Sequence, residues 1–163
     1  MNNPTTTTTS AAPATNIETL LVRAGELEAA WYTGSRMWHG ASGEPVTGEQ
    51  AAAHLEAAAG LLDREGWEPG AFGLQEALAG PLDVAGVSIK VLELVICAHT
   101  GAGAAAPQLW DRVQNRTADE VRTLLTTGAA YARRYGPTAA PSGAVATPGT
   151  AKETWVPLAT ERD

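Results

Sequence analysis

The sequence predicts an all-α protein: a single small bundle of four main helices plus a short extra helix, with disordered tails at both ends. Three observations indicate this fold class. Apolar residues recur at three- and four-residue intervals in four separate segments. A threonine followed three positions later by Glu or Gln, the spacing of an N-terminal capping box, stands at the start of three of them. Stretches rich in glycine and proline separate the segments.

The two flanking segments lack the apolar side chains that a core requires. Residues 1–15 contain no large apolar residue after the initiator Met, so we expect them to be disordered, because no burial would offset the entropy of ordering them. Residues 137–163 are rich in Pro, Ala and Thr and are predicted to be flexible. They carry one short apolar motif, TWVPL at 154–158, which could dock back on the domain or serve as a linear motif. The helical domain is therefore predicted to span residues 16–136.

The first helix is predicted to begin at the capping pair Thr15 and Glu18 and to end near Tyr32, since the apolar positions between them keep a helical interval. Residues 33–48 follow with four glycines, one proline and no period. They are predicted to form a long connection.

The second helix is predicted to open at the capping pair Thr47 and Gln50 and to stop at Gly66. Its apolar stripe is rich in alanine, which permits the close approach of a neighbouring helix. A short extra helix is predicted between residues 72 and 79, before a break at residues 80–81, where Gly and Pro are adjacent.

The segment LDVAGVSIKVLELVICAHTG, residues 82–101, has the Val and Ile content of either a strand or a buried helix. Helical periodicity decides between them, because the less apolar residues fall on one helical face and large apolar residues on another. The less apolar face comprises Gly86, Lys90, Glu93 and Cys97, and the apolar face comprises Leu82, Ala85, Ile89, Leu92 and Ile96. We predict a mostly buried helix with Asp83 as its N-terminal cap.

The last helix has the clearest signals. Thr117 and Glu120 form the third capping pair. Arg133 and Arg134 stand where the helix dipole favours positive charge, just before a Gly-Pro stop at 136–137.

Two segments, AAAHLEAAAGLLDREGWEPGAFG at 51–73 and LWDRVQNRTADEVRTLLTTGAA at 109–130, carry a resemblance. They resemble an uncharacterised family of small helical proteins from actinobacteria and their phages. In that family a first helix ends in a Gly-Trp turn followed by Gly-Ala, and a late helix follows a Trp-Asn-Asp-like turn containing Arg-Thr. The resemblance covers residues 51–135, although LVICAHTGA stands where the family shows a Cys-Leu-Leu-Gly-Ala-like helix. It implies a helical fold and no reaction, because the family is a domain of unknown function.

Charge and composition exclude several function classes. The chain has 11 Lys and Arg against 18 Asp and Glu, and residues 47–80 hold six acids with Arg64 as the single base, so general duplex binding is disfavoured. The longest apolar run, LVICA at 94–98, is too short to span a bilayer. One cysteine and no basic, apolar leader favour a cytoplasmic location without membrane partners.

Candidate chemistry is sparse. His39, His54, His99 and Cys97 show no metal-ligand spacing, so we predict neither a metal nor another cofactor. Cys97, His99 and Asp111 could act as nucleophile, base and orienting acid. A small hydrolase or ligand-binding enzyme using this region is therefore one alternative, although no catalytic residue is assigned.

The turn WDRVQNR at 110–116 carries more polar and aromatic side chains than a helix cap requires. Arg112, Arg116 and Arg122 make this region locally basic, so a nucleic-acid accessory factor is the second alternative. Trp31, Trp38, Trp67 and Trp110 fall at predicted helix ends or in connections, where tryptophan either covers the end of a bundle or lines a binding surface.

The sequence thus predicts a cytoplasmic, non-enzymatic helical protein that binds another macromolecule, either a protein partner or a second copy of itself. We expect it to be an accessory or regulatory protein of an actinobacterium or of one of its mobile elements, since the Ala- and Gly-rich composition indicates a high-GC genome. The candidate partner-binding residues are Trp67, Trp110, Asp111, Arg112, Asn115 and Arg116.

Overall fold

The protein is described by a computed structural model that covers residues 16–33 and 36–138. The predictions made for residues 1–15 and 139–163 lie outside these ranges. Four long helices and three short ones, one of them a 3-10 helix, make up the fold, and the described ranges contain no β-strand. In chain order they are α1 Ile17–Trp31, the 3-10 helix Arg36–Trp38, α2 Gly48–Glu65, α3 Leu74–Ala77, α4 Leu82–Thr100, α5 Pro107–Trp110 and α6 Ala118–Tyr135. The predicted all-α bundle is confirmed.

Two of the three predicted capping boxes are formed as predicted. Gln50 N donates to Thr47 Oγ1 at 3.0 Å while Thr47 N donates to Gln50 Oε1 at 2.9 Å. Thr117 and Glu120 exchange the same two bonds, at 3.1 and 2.9 Å. These bonds satisfy backbone N–H groups that the first turn of a helix leaves unpaired, which fixes where α2 and α6 begin.

The prediction for the start of α1 was wrong. Asn16 caps this helix, because its side-chain oxygen accepts the N–H of Thr19 at 3.1 Å. Glu18, which was expected to complete a capping box with Thr15, forms an ion pair with Arg134 of α6. A contact distant in sequence therefore takes the carboxylate that a local motif was expected to use.

The predicted cap of α4 was wrong as well. Pro81 occupies the N-cap position and Asp83 lies inside the first turn. The Asp83 carboxylate accepts the N–H of Ser42 at 2.8 Å and its hydroxyl at 2.7 Å, and these bonds lower the pKa of Asp83. Asp83 thus holds the connection that precedes α2. Leu82, expected in the buried stripe, is 70% exposed because it is the first residue of the helix.

α2 and α6 lie antiparallel at the centre of the bundle. Gly48 at the start of α2 meets Ala132 near the end of α6, and Asp63 at the other end of α2 pairs with Arg122. α4 packs against both helices. At Gly128 of α6 a Cβ would lie 2.8 Å from a methyl group of Leu92, so the glycine permits the close approach of α4. The alanine-rich stripe of α2 is buried in this contact, as its composition predicted, at Ala51, Ala52, Ala58 and Ala59.

The less apolar face of α4 holds two connections in place. Lys90 Nζ donates to the carbonyl oxygens of residues 36, 37 and 39 at 3.1–3.4 Å, and burial lowers the pKa of Lys90. Glu93 accepts the N–H of Ala105 at 3.0 Å. Cys97, on the same face, is buried. The polar residues Lys90 and Glu93 of this face therefore bind the neighbouring loops.

The C-terminal half of α6 packs into an aromatic cluster that we call the closed end, formed by Glu28, Trp38, Tyr131 and Tyr135. The ring of Tyr131 stacks on those of Trp38 and Tyr135, with centroid separations of 6.5 and 4.7 Å. The Glu28 carboxylate accepts the Trp38 indole N–H at 2.8 Å and the Tyr131 hydroxyl. Burial and the neighbouring carboxylate raise the pKa of Tyr131 well above its usual value. Every buried polar atom of this cluster therefore has a partner.

Candidate functional site

The turn at 110–116 is anchored through Asp111, whose side chain is buried with 1% exposure. Its Oδ2 atom accepts the indole N–H of Trp67 and the backbone N–H of Leu74, both at 2.8 Å. The first bond ties the turn to the segment after α2, and the second ties it to the start of α3. A carboxylate buried in this way holds the fold together, because its accepting atoms face inward. Two of the predicted site residues, Trp67 and Asp111, are thus brought together.

Trp110 and Arg116 form a stacked pair at the surface. The guanidinium carbon of Arg116 lies 3.6 Å from the centroid of the Trp110 ring, and Arg116 Nε donates to the Trp110 carbonyl at 3.2 Å. Both side chains are half-buried. Such a cation–π contact contributes about 0.5–2 kcal/mol, so the pair presents a pre-ordered flat surface of aromatic and cationic character.

The remaining two predicted site residues, Asn115 and Arg112, have exposed side chains. Asn115 has a backbone φ of +71°, in the left-handed region that asparagine tolerates better than most residues. Its place in the turn is explained by this conformation. The Arg112 side chain donates to Gln75 at 3.3 Å. The structure therefore divides the six candidates into two internal anchors, a stacked surface pair and two exposed residues, and their role in partner binding stays a prediction.

The stacked pair lies at one wall of a groove with a volume of about 420 Å³. The floor consists of buried side chains, Val95 and Ile96 of α4 with Leu124 and Thr127 of α6. Leu20 of α1 also lines the groove. Because three helices and the 110–116 turn supply its walls, the groove forms only when these elements are packed together.

The rim of the groove is polar and mixed in charge. His99 and Thr100 stand at the end of α4, while Glu120 and Thr123 stand on α6, and all four are exposed. Arg116 lies 4.0 Å from Glu120, so its charge is partly compensated. An apolar floor with a polar rim is the arrangement found at protein-binding surfaces and in ligand sites.

Further exposed apolar side chains lie on the elements that supply the groove. Leu109 and Val113, which flank Trp110 in sequence, are 49% and 55% exposed. On α1, exposed Ile17 precedes Leu20 by three residues, which places the two on the same helical face. Scattered exposed apolar residues need no explanation, but several on the elements that line one apolar groove favour a contact surface.

A second, smaller groove of about 220 Å³ lies beside Trp67, between the end of α2 and the start of α6. The Arg122 side chain closes it on one side by pairing with Asp63, and also pairs with Asp119 at 2.8 Å. This pairing leaves Arg122, one of the arginines of the nucleic-acid alternative, compensated by two carboxylates.

The residues of the enzyme alternative are not joined. No hydrogen bond in the described part of the chain links Cys97, His99 and Asp111, and the Asp111 carboxylate is engaged with Trp67 and α3. Burial, followed by the nearby Glu93 charge, raises the pKa of the Cys97 thiol, which disfavours the nucleophilic thiolate. This geometry provides no support for a cysteine-based reaction.

One unanticipated serine–histidine pair was also found. His54 Nδ1 lies 2.8 Å from Ser88 Oγ, between α2 and α4, and His54 Nε2 is buried beneath Gly80 with no hydrogen-bond partner. Ser88 is fully buried within α4. A substrate would have no access to its hydroxyl, so the pair is best understood as an interhelical contact.

Two further properties bear on the class of site. In residues 16–33 and 36–138, His, Cys, Asp and Glu side chains nowhere cluster in groups of three or more that could hold a metal ion. Over the same ranges, no helix combines the length and the apolar character needed to cross a membrane.

Comparison with known proteins gives no relative: no protein-family model, no curated protein and no solved structure matches this chain.

The groove residues outside the 110–116 turn were not predicted from the sequence. Leu20, His99 and Thr123 carry no motif, and only the arrangement of α1, α4 and α6 brings them together.

Proposed function

We propose that this protein is a non-enzymatic accessory or regulatory protein that binds another protein through the groove between α1, α4 and α6. The observation that carries the proposal is the apolar floor of Val95, Ile96 and Leu124 beside the stacked Trp110–Arg116 pair. Tryptophan and arginine are the residue types most enriched at energetic hot spots of protein interfaces. Here they are already ordered, which lowers the entropic cost of binding.

The surroundings of the groove define the chemistry of the partner. Leu109 and Val113 are exposed close to Trp110 in the sequence, and a protein segment would cover more apolar area of this kind than a small ligand. The rim offers hydroxyl, imidazole and carboxylate groups and a partly compensated Arg116. We infer a partner segment with large apolar side chains on one face and polar groups on the other, as in an amphipathic helix laid into a groove.

The arginine side chains favour a protein over a nucleic acid. Arg122 pairs with Asp63 and Asp119, and Arg133 pairs with Glu49 and Glu56. Arginines held by carboxylates have little charge left to neutralise phosphates, which supply most of the affinity for nucleic acids.

Site-specific photocrosslinking in cells that produce the full chain tests the proposal. A benzophenone amino acid is placed at Thr123, exposed on the rim, and in a matched protein at Ala57, exposed on α2, which contributes no side chain to the groove. We expect a discrete crosslinked protein from position 123 that position 57 does not give.

The purified partner then binds the full chain in a fluorescence-anisotropy titration. Thr123→Arg should weaken binding at least about tenfold by filling the rim, while the matched Ala57→Arg should leave the affinity unchanged. Equal crosslinking from both positions, or equal loss of affinity in both variants, would contradict a groove-specific site. A crosslink between two copies of the chain would identify the partner as the protein itself.

A further inference from the structure

We propose that the apolar motif TWVPL, residues 154–158 of the same chain, occupies the groove and competes with the partner, so that the protein carries its own inhibitor. This inference rests on the proposed function of the groove. It gives the groove a regulatory state in addition to its partner-bound state.

Of the two segments that flank the described domain, only the C-terminal one can supply apolar anchors. Residues 1–15 contain no large apolar side chain beyond Met1. Val145 is the one large apolar residue among residues 139–153, whereas residues 154–158 bring together Trp155, Val156 and Leu158. An apolar floor is covered most favourably by the segment with the most apolar area to bury.

The motif can reach the groove. α6 ends at Tyr135, and the groove lies beside residues 119–127 of the same helix, so the helical rise places it about 12–24 Å from the end of α6. Fifteen residues lie between Thr138 and Thr154, and the flexible chain that their composition predicts would have a root-mean-square span of about 21 Å. A linker whose span is close to the distance between two sites gives a high effective concentration, in the millimolar range.

The chemistry of the motif is complementary to the walls of the groove. The Trp110–Arg116 pair offers a flat aromatic and cationic surface on which an indole such as that of Trp155 can stack. The residues before the motif, Lys152 and Glu153, carry both charges, as do Glu120 and Arg116 at the rim.

The expected size of the effect follows from the effective concentration. At about 1 mM, even a motif with an intrinsic dissociation constant of about 0.1 mM occupies the groove for about 90% of the time. A partner that needs the empty groove would then bind about tenfold more weakly.

The test compares full-length proteins. The double variant Trp155→Ser/Leu158→Ser removes the anchors, and Val145→Ser is the matched control, an apolar-to-polar change outside the motif. In ¹H–¹⁵N spectra we expect the amide signals of His99, Thr123 and Thr127 to shift in the double variant and to stay in place in the control. Superimposable spectra at these three residues in all proteins would overturn the proposal.

A synthetic peptide of residues 152–162 gives the second readout. It should bind the double variant and move the three signals back toward their wild-type positions, and it should bind the wild-type chain about tenfold more weakly because the groove is occupied. No shift on adding the peptide would refute docking of the motif. Shifts in the undiluted wild-type protein that vanish on dilution would show that the motif of a second copy is bound, and would refute intramolecular docking.

The partner separates this inference from the proposed function. The double variant should bind the purified partner about tenfold more tightly than the wild-type chain, with Val145→Ser unchanged. If the partner binds all three proteins equally and Thr123→Arg still weakens it, self-inhibition is wrong and the groove remains the binding site. If Thr123→Arg has no effect on the partner while the peptide still binds, the proposed function is wrong and docking of the motif stands.

Discussion

The two halves of α6 face different surroundings, although both are lined by aromatic side chains. In the C-terminal half, Tyr131 is fully buried and both carboxylate oxygens of Glu28 accept hydrogen bonds from aromatic donors. Beside the N-terminal half, Trp110 and Arg116 of the preceding turn stack on one another and stay only half-buried at the groove. At the closed end the aromatic side chains are buried and stabilise the fold, while beside the groove aromatic surface stays accessible to a partner. The same residue types therefore serve different ends according to how completely their neighbours enclose them.

The largest effect should come from opening the closed end. Tyr131→Ala removes a fully buried ring that stacks on two others, and should lower the free energy of unfolding by about 3–5 kcal/mol. Trp110→Ala, in the half-exposed pair, should cost less than half of this while it abolishes partner binding. Urea denaturation of both variants measures the difference. Equal destabilisation would show that the two ends do not differ in the way described.

A second prediction tests whether the 110–116 turn is held from inside. Asp111→Ala leaves the Trp67 indole and the Leu74 backbone N–H without their acceptor, and should lower the free energy of unfolding by about 3 kcal/mol. Asp119→Ala, an exposed carboxylate at the groove, should change it by less than about 1 kcal/mol. Denaturation midpoints by circular dichroism provide the measurement. A neutral Asp111→Ala would show that the turn does not depend on this anchor.

A smaller effect should come from the start of α6. Thr117→Ala removes the oxygen that caps Glu120 N and should cost about 1 kcal/mol. Thr123→Ala, on the same helix at the groove rim, should stay within about 0.5 kcal/mol. The pair separates a threonine that stabilises the helix from one that is free to contact a partner, and thermal unfolding distinguishes them. A loss of similar size in both variants would remove that distinction.

The smallest effect concerns acid. Hydrogen bonds from Ser42 lower the pKa of Asp83 in the folded protein, so their stabilisation is present above the unfolded pKa of about 4 and is lost as the pH falls through the lower folded value. Asp83→Asn should therefore flatten the decline of the thermal midpoint below about pH 4. An unchanged decline would assign the acid sensitivity to other carboxylates.

The sequence was sufficient for features fixed by neighbouring residues. The helices of the bundle, two capping boxes and the Gly66 stop of α2 were predicted because each is set by residues that lie close to one another in the sequence. Predictions were wrong where a distant group competed for the same atom. Asp83 binds Ser42, 41 residues earlier in the sequence, and Glu18 pairs with Arg134, 116 residues later.

The groove could be predicted only in part for the same reason. Trp110 and Arg116 were predicted as site residues because a helix cap requires neither an aromatic nor a cationic side chain at these positions. Leu20 and Thr123 look like ordinary helical residues in the sequence, and it is the packing of α1 against α4 and α6 that brings both into the lining of the groove. No helix was predicted between residues 101 and 117, whereas Pro107 begins the short helix α5.

The close contact between the start of α2 and the end of α6 has a mechanical consequence. Gly48 and Gly136 meet backbone to backbone, with no space for a side chain on either, and Gly48 N donates to the carbonyl of Pro137 at 2.8 Å. A pulling force applied to the chain after residue 138 is therefore shared between α2 and α6 before it can unwind the last turn of α6. Tension applied beyond residue 138 is thus resisted by the contacts between α2 and α6 as well as by the last turn of α6.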